Sequence, residues 1–164
     1  VGRITRQKGV PGLLRALVVS NSAAKIGTVD MWTDRVNAIR EFGLQVVAAP
    51  TMERWFSPAF RATPDLALWQ RMLERQPADG YIACCQAIAD ADLRRQVGAL
   101  KLPVQMIAGS LDGSTPPELV RASGQLIPGA CYDEIDGAGH LPCVEAAPEY
   151  AAILNAFLKE VGQA

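Results

Sequence analysis

Three short strand-like runs, each closed by a loop of small or polar residues, decide what this chain can fold into. The first is residues 14–20 (Leu-Arg-Ala-Leu-Val-Val-Ser), with Pro11-Gly12 reading as a turn before it and Asn21-Ser22 following it. The second is residues 104–108, which end in Gly109-Ser110-Leu111-Asp112-Gly113. The third, residues 131–135, alternates in polarity and leads through a Gly-Ala-Gly turn to His140. A compact apolar run bounded by turn signals fits a buried strand of a parallel sheet. Thr115-Pro116-Pro117 opens a helix carrying Leu119, Val120, Ser123 and Leu126, and Pro128-Gly129 turns the chain into the third run. From Pro148 an amphipathic helix closes the sequence through Tyr150, Ile153, Leu154, Phe157 and Leu158. Alternating strands and helices predict a parallel sheet with right-handed crossovers.

Between the first two runs lie roughly seventy residues of helical pattern, too long for a simple crossover. They read as an inserted helical cap. Asp30 is expected to cap a helix through Met31, Trp32, Val36 and Ile39 that ends near Gly43. Residues 44–49 read as a short helix stopped by Pro50. Pro64-Asp65 opens a helix with Leu66, Leu68, Trp69, Met72 and Leu73; residues 81–89 form a further one, and residues 90–95 begin the last. All three tryptophans, Trp32, Trp55 and Trp69, fall in this block.

Composition narrows the function classes. The 164 residues are 49% hydrophobic and 20% charged, with a formal net charge of −1, as in a soluble globular protein. The basic footprint of a nucleic-acid binder is absent; Arg3, Arg6 and Lys8 are the only cationic cluster. No apolar run approaches the ~18 residues of a membrane span, and the first residues lack an apolar signal core. Cys84, Cys85, Cys131 and Cys143 have no zinc-like spacing, and a single histidine does not complete a metal site. The expectation is therefore a cytoplasmic protein with reduced thiols, no cofactor, no metal, no membrane and no nucleic-acid partner.

His140 is the single histidine, and it follows the third strand as Asp112 follows the second. Neighbouring parallel strands bring their C-terminal loops side by side, where open α/β sheets carry their sites. A carboxylate against one imidazole nitrogen fixes the tautomer and stabilises the imidazolium form. The other nitrogen is then free to take a proton from a nucleophile. The order Asp then His matches the later members of a Ser…Asp…His triad.

At this point the chain resembles a known family. Residues 15–27, Trp32 with Arg35, residues 53–58, residues 79–81, Cys85 and residues 90–94 look like the corresponding parts of 3-oxoadipate enol-lactonases, which are α/β-hydrolases. Residues 107–112, and residues 139–141 with Glu145, continue the resemblance downstream. It runs from about Leu14 to Leu158 and covers the C-terminal part of that fold. It implies an α/β protein with a partial α/β-hydrolase fold, about three parallel strands with flanking helices and an all-helical cap. Residues 14–26 and 98–164 would form the partial core and residues 27–97 the cap, with residues 1–13 unaligned. It further implies carboxylic ester or lactone hydrolysis in aromatic-compound catabolism. A serine would attack the lactone carbonyl, His140 would accept its proton, and Asp112 would orient His140. Trp32 is a candidate substrate wall, and Arg54 and Lys25 are candidate carboxylate partners; each also reads as cap core or surface cation. Trp55 and Trp69 read as packing.

One part of the pattern is missing. No Gly-x-Ser-x-Gly occurs in the 164 residues, and Ser20, Ser22, Ser57, Ser110, Ser114 and Ser123 sit on no strand–glycine–helix elbow. In the family the elbow precedes the segment matching Leu14. Cys143 is the one substitute nucleophile worth testing, and it reads as an inert helix-start residue. The isolated chain is expected to have negligible lactonase activity. Its first strand would present an open edge, which predicts a homo-oligomer or pairing with a missing N-terminal half. Three readings stay open: an enol-lactonase-like hydrolase that needs complementing, a non-catalytic remnant that binds a small carboxylated ligand or a partner chain, and a domain that associates through its open strand.

Overall fold

A computed structural model describes residues 14–162. The Pro11-Gly12 turn lies outside the described residues. In chain order the elements are β1 (Leu17–Ser20), α1 (Val29–Phe42), α2 (Gln45–Trp55), α3 (Pro58–Arg61), α4 (Leu66–Glu74), α5 (Ala78–Asp90), a 3-10 turn (Val97–Ala99), β2 (Val104–Gly109), α6 (Pro117–Gln125), β3 (Cys131–Ile135), α7 (Pro142–Glu145) and α8 (Ala147–Glu160).

The sheet has the order β1-β2-β3, and both pairings are parallel. Leu17 to Ser20 lie opposite Val104 to Ile107, and Gly109 lies opposite Ile135. Central β2 is buried along its whole length, so its continuous apolar run is the signature of a strand covered on both faces. One face packs Met106, Ala108, Leu17 and Val19 with Val120 and Ile127 around α6. The other packs Ile107, Ile135 and Val18 with Tyr150, Ile153 and Leu154 of α8. The alternation of Val18 against Leu17 and Val19 is the period-two pattern that makes this a strand.

Helices α1–α5 fill the interval between β1 and β2. α1 and α5 enclose Val36, Ile39, Ile82 and Cys85, with Trp32 packed alongside. α2 and α4 enclose Ala48, Met52, Phe56 and Leu73, and this cluster also takes in Leu141 and Val144 beside the third strand end. Phe56 is fully buried, which contributes about 2–3 kcal/mol. It pins the end of α2 beside the segment that follows β3, where Leu141 and Val144 lie. At the base of the helical block the two connecting chains are tied: Leu93 N donates to Ala24 O (2.8 Å), and Lys25 Nζ donates to Ala89 O (2.7 Å).

Three local expectations are corrected. Thr28, not Asp30, caps α1, because its extended backbone lets Oγ1 accept from Met31 N. Asp30 sits in the first turn, where its charge suits the helix dipole. Pro50 does not stop α2, which continues to Trp55. Its missing N–H orphans only the Val46 carbonyl, on the exposed side, while Met52 and Phe56 beyond it are buried. Burial of that second turn outweighs one lost hydrogen bond. Residues 90–95 begin no helix. The Asp92 carboxylate takes the Arg94 backbone N–H and its guanidinium, an Asx turn that competes with helix initiation.

Candidate active site

The C-terminal ends of all three strands converge on one carboxylate. Asp112 follows β2 and is 3% exposed. Its Oδ1 accepts from Ser114 N (2.7 Å) and Thr115 N (3.0 Å), an N-terminal turn folded by the side chain itself. Its Oδ2 accepts from Thr115 Oγ1 (2.7 Å), Asn21 Nδ2 (3.0 Å) and His140 Nδ1 (2.9 Å). Burial pushes the Asp112 carboxyl up. The hydrogen bond and charge of His140, then the donors from Asn21 and Thr115, outweigh it and hold the group below its ordinary value.

His140 is positioned by backbone. Its N–H donates to Trp55 O (2.7 Å), and the Trp55 ring stacks on the imidazole with centroids 6.1 Å apart. Gly113 N donates to Arg54 O (3.0 Å), so the end of α2 is bonded to both strand-end loops. The two loops also bond to each other, Leu111 N to Ala138 O (2.8 Å) and Ser110 N to Ile135 O (3.0 Å). Their approach is so close that a Cβ on Gly109 would lie 2.1 Å from Gly139 O. Glu145 locks the turn from behind, with Oε1 accepting from Gly139 N (2.9 Å) and Oε2 from Ser57 N (3.0 Å).

Asp112 has only acceptors to offer, so Nδ1 carries the proton of the neutral imidazole and Nε2 is the basic nitrogen. Among the described residues Nε2 makes no hydrogen bond, and the imidazole side chain is 22% exposed. Thr115 Oγ1 lies 3.3 Å from Nδ1, the nitrogen that cannot activate it. The serine hydroxyls of Ser20, Ser57, Ser110 and Ser123 are occupied in local hydrogen bonds. Cys143 is exposed on α7 and has no hydrogen bond to His140. The arrangement is an oriented general base with no nucleophile bonded to it. Among the described residues no group of three or more His, Cys, Asp or Glu is placed to hold a metal.

The comparisons fit this geometry. The chain superposes on the crystal structure of the enol-lactonase from Burkholderia xenovorans LB400 with a TM-score of 0.83 at 30% identity, covering 89% of this chain and 56% of that one. The chain has the α/β-hydrolase fold. It is 32% identical over 157 residues to 3-oxoadipate enol-lactonase 2 of Acinetobacter baylyi, covering 91% of this chain and 56% of that protein. It is 35% identical over 149 residues to 3-oxoadipate enol-lactonase 1 of the same organism, covering 89% and 55%. The chain thus spans just over half the length of the curated relatives it matches. No protein-family model matches it. The α/β-hydrolase fold observed is the expected partial one: parallel strands, flanking helices and a helical block between the first two strands.

Of the residues singled out in the sequence, Asp112 and His140 are brought together. Arg54 lies next to them through its carbonyl, but its guanidinium turns to Thr51. Lys25 spends its ammonium on the C-terminal carbonyl of α5, the role of a helix cap. Trp32 donates Nε1 to Ile26 O (2.8 Å) and borders a cavity of about 100 Å³ that includes neither Asp112 nor His140. Four contributors carried no assigned role in the sequence: Asn21, Thr115, Glu145 and Trp55, the last read as packing. Asn21, Glu145 and Trp55 stand among the residues that carry the resemblance, and Asn21 directly follows a strand. The structure gives Asn21 a φ of 47°, a left-handed conformation that asparagine tolerates better than most residues.

Proposed function

We propose that this chain carries the acid, the base and the cap of a serine hydrolase for small carboxylated lactones of the 3-oxoadipate enol-lactone class, acting in cytoplasmic aromatic-compound catabolism. One observation carries the chemistry: His140 is held at Nδ1 by a buried carboxylate, and among the described residues its Nε2 has no partner. Similarity to enol-lactonases supplies the substrate class. Four free cysteines suit a reducing compartment.

The nucleophile would come from a Gly-x-Ser-x-Gly segment, which these 164 residues do not contain. With that serine at Nε2, its hydroxyl proton passes to His140 as Oγ bonds to the lactone carbonyl. Asp112 stabilises the imidazolium so formed. The ring C–O bond then breaks, and Nε2–H returns the proton to the departing enol oxygen. Water, deprotonated by Nε2 in turn, cleaves the acyl-serine and releases the acid. The outer edge of β1 is the place for the missing segment to pair.

The test combines the chain with a separately produced polypeptide holding the first strands and the elbow of an enol-lactonase. Hydrolysis of 3-oxoadipate enol-lactone is compared with that of p-nitrophenyl acetate. The reading expects the carboxylated lactone to have the higher kcat/KM. A higher value for the neutral ester would refute the substrate class.

A further inference from the structure

Two further side chains meet at the acid–base pair without belonging to it. Asn21 follows β1, the strand that carries neither Asp112 nor His140. Its N–H donates to Ile107 O of β2 (2.8 Å), and the residue is 6% exposed. Its backbone is left-handed, a conformation most side chains avoid and asparagine tolerates. From there Nδ2 donates to Asp112 Oδ2 (3.0 Å) and to the carbonyl of Gly139 (3.3 Å), the residue before His140. Ser20 Oγ donates to Asn21 Oδ1 (2.9 Å), which sets the way the amide faces. The second side chain is Thr115, 1% exposed. Its hydroxyl donates to the same Oδ2 (2.7 Å) and lies 3.3 Å from His140 Nδ1.

Oδ2 is the oxygen that holds the imidazole, so its direction matters most. The other oxygen, Oδ1, is bonded by Ser114 N and Thr115 N, neighbours in one turn. Those two bonds leave the carboxyl torsion, a broad two-fold well, weakly defined. The donors on Oδ2 from Asn21 and Thr115 define it from two further directions. With its proton committed to Oδ2, the Thr115 oxygen keeps its lone pairs for Nδ1–H. An imidazole that drifts from Oδ2 therefore still meets an acceptor on that side. Which ring nitrogen holds the proton is set by the bond the other one makes. Without support at Nδ1 the proton is free to move to Nε2. Nε2 then has no lone pair with which to take a proton from a hydroxyl. Neither Asn21 nor Thr115 bonds Nε2, so both act through Asp112 and Nδ1.

We propose that Asn21 and Thr115 are positioning residues, which together hold Asp112 Oδ2 on Nδ1 and so keep the proton off Nε2. The proposal rests on the hydrolase reading for its purpose, a base ready for a serine, but not for the tautomer itself.

The chain holds one histidine, so labelling it with 15N gives a single pair of ring-nitrogen signals. The test records these shifts at about pH 9, above the ordinary titration range of histidine, with thermal unfolding as the check on folding. The wild-type chain is expected to show a protonated Nδ1 and an unprotonated Nε2. Asp112→Asn marks the released imidazole. Thr115→Val removes the hydroxyl at nearly constant volume, and Asn21→Gly removes the amide while suiting the left-handed backbone. In each the two shifts should converge toward those of Asp112→Asn, and the double variant should cover about half the distance or more. Thr115→Ser keeps the hydroxyl and should keep the wild-type shifts. A wild-type imidazole protonated at Nε2 would overturn the proposal. So would wild-type shifts in the folded double variant, or in both folded single variants where the double one does not fold. Thr115→Ser matching Thr115→Val would assign the effect to packing and overturn it as well. No turnover is measured, so loss of the hydrolase reading would leave this result standing, and the reverse holds too.

Discussion

Asp112 is the residue on which the site's geometry and its titration both depend. Its carboxyl is held below the ordinary value, with burial opposed by the stronger pull of His140, Asn21 and Thr115. A depressed folded pKa contributes stability that is fully present above the unfolded value of about 3.9 and is lost as pH falls through the folded pKa. Stability against urea should therefore decline below about pH 4, and Asp112→Asn should flatten that decline. Identical acid slopes in the two proteins would contradict this. Asn21→Ala leaves Asp112 Oδ2 and the Gly139 carbonyl each short of a buried donor, with an expected loss of about 1–3 kcal/mol in urea unfolding. Asp112 and His140 were legible because their roles follow from residue type and strand-end position. The roles of Thr115 and Glu145 were not, because each acts through a fold-specific bond to a carboxylate or a backbone N–H that residue type alone does not mark. Lys25 and Trp32 show the converse: charge and aromaticity were visible, but which group each would meet was decided by packing.

The paired loops after β2 and β3 are the element that sets the spacing of acid and base. Gly109 and Gly139 are needed there for contact, not for unusual backbone angles. A Cβ on Gly139 would lie 2.5 Å from Trp55 O, and one on Gly109 would meet Gly139 O. Gly109→Ala should cost about 3 kcal/mol or more, since rigid backbone has to move. Gly137→Ala in the same loop has open space around it and a φ of 72°, and should cost only about 1 kcal/mol for the left-handed conformation. Equal losses on thermal unfolding would show that the loops do not depend on this contact. Strand positions and the α6 and α8 patterns were readable from period and punctuation. Inside the helical block the Gly43 end of α1 and the Asp65 start of α4 were readable too, but the end of α2 was not. Pro50 predicts a stop, but buried Met52 and Phe56 carry α2 onward to deliver Trp55 to His140.

At the scale of the molecule, the sheet has two different edges, and β1 carries the more consequential one. Leu17 N and Asn21 N donate toward β2, so the alternate N–H groups of Val18 and Ser20 point to the other side. Among the described residues no strand pairs with that side. Val18→Pro should therefore keep the β1–β2 ladder and block an added strand, which light scattering or complementation would register as lost association. Association unaffected by this substitution would move the interface elsewhere. The central claim is that Asp112 and His140 form a working acid–base pair once a nucleophile is supplied. The most direct measurement is enol-lactone hydrolysis by the chain alone, by the chain with the elbow-bearing polypeptide, and by the same assembly carrying His140→Ala. No turnover, turnover, and a fall of about 10³-fold or more are expected, respectively. Turnover by the chain alone, or an assembly indifferent to His140→Ala, would contradict it.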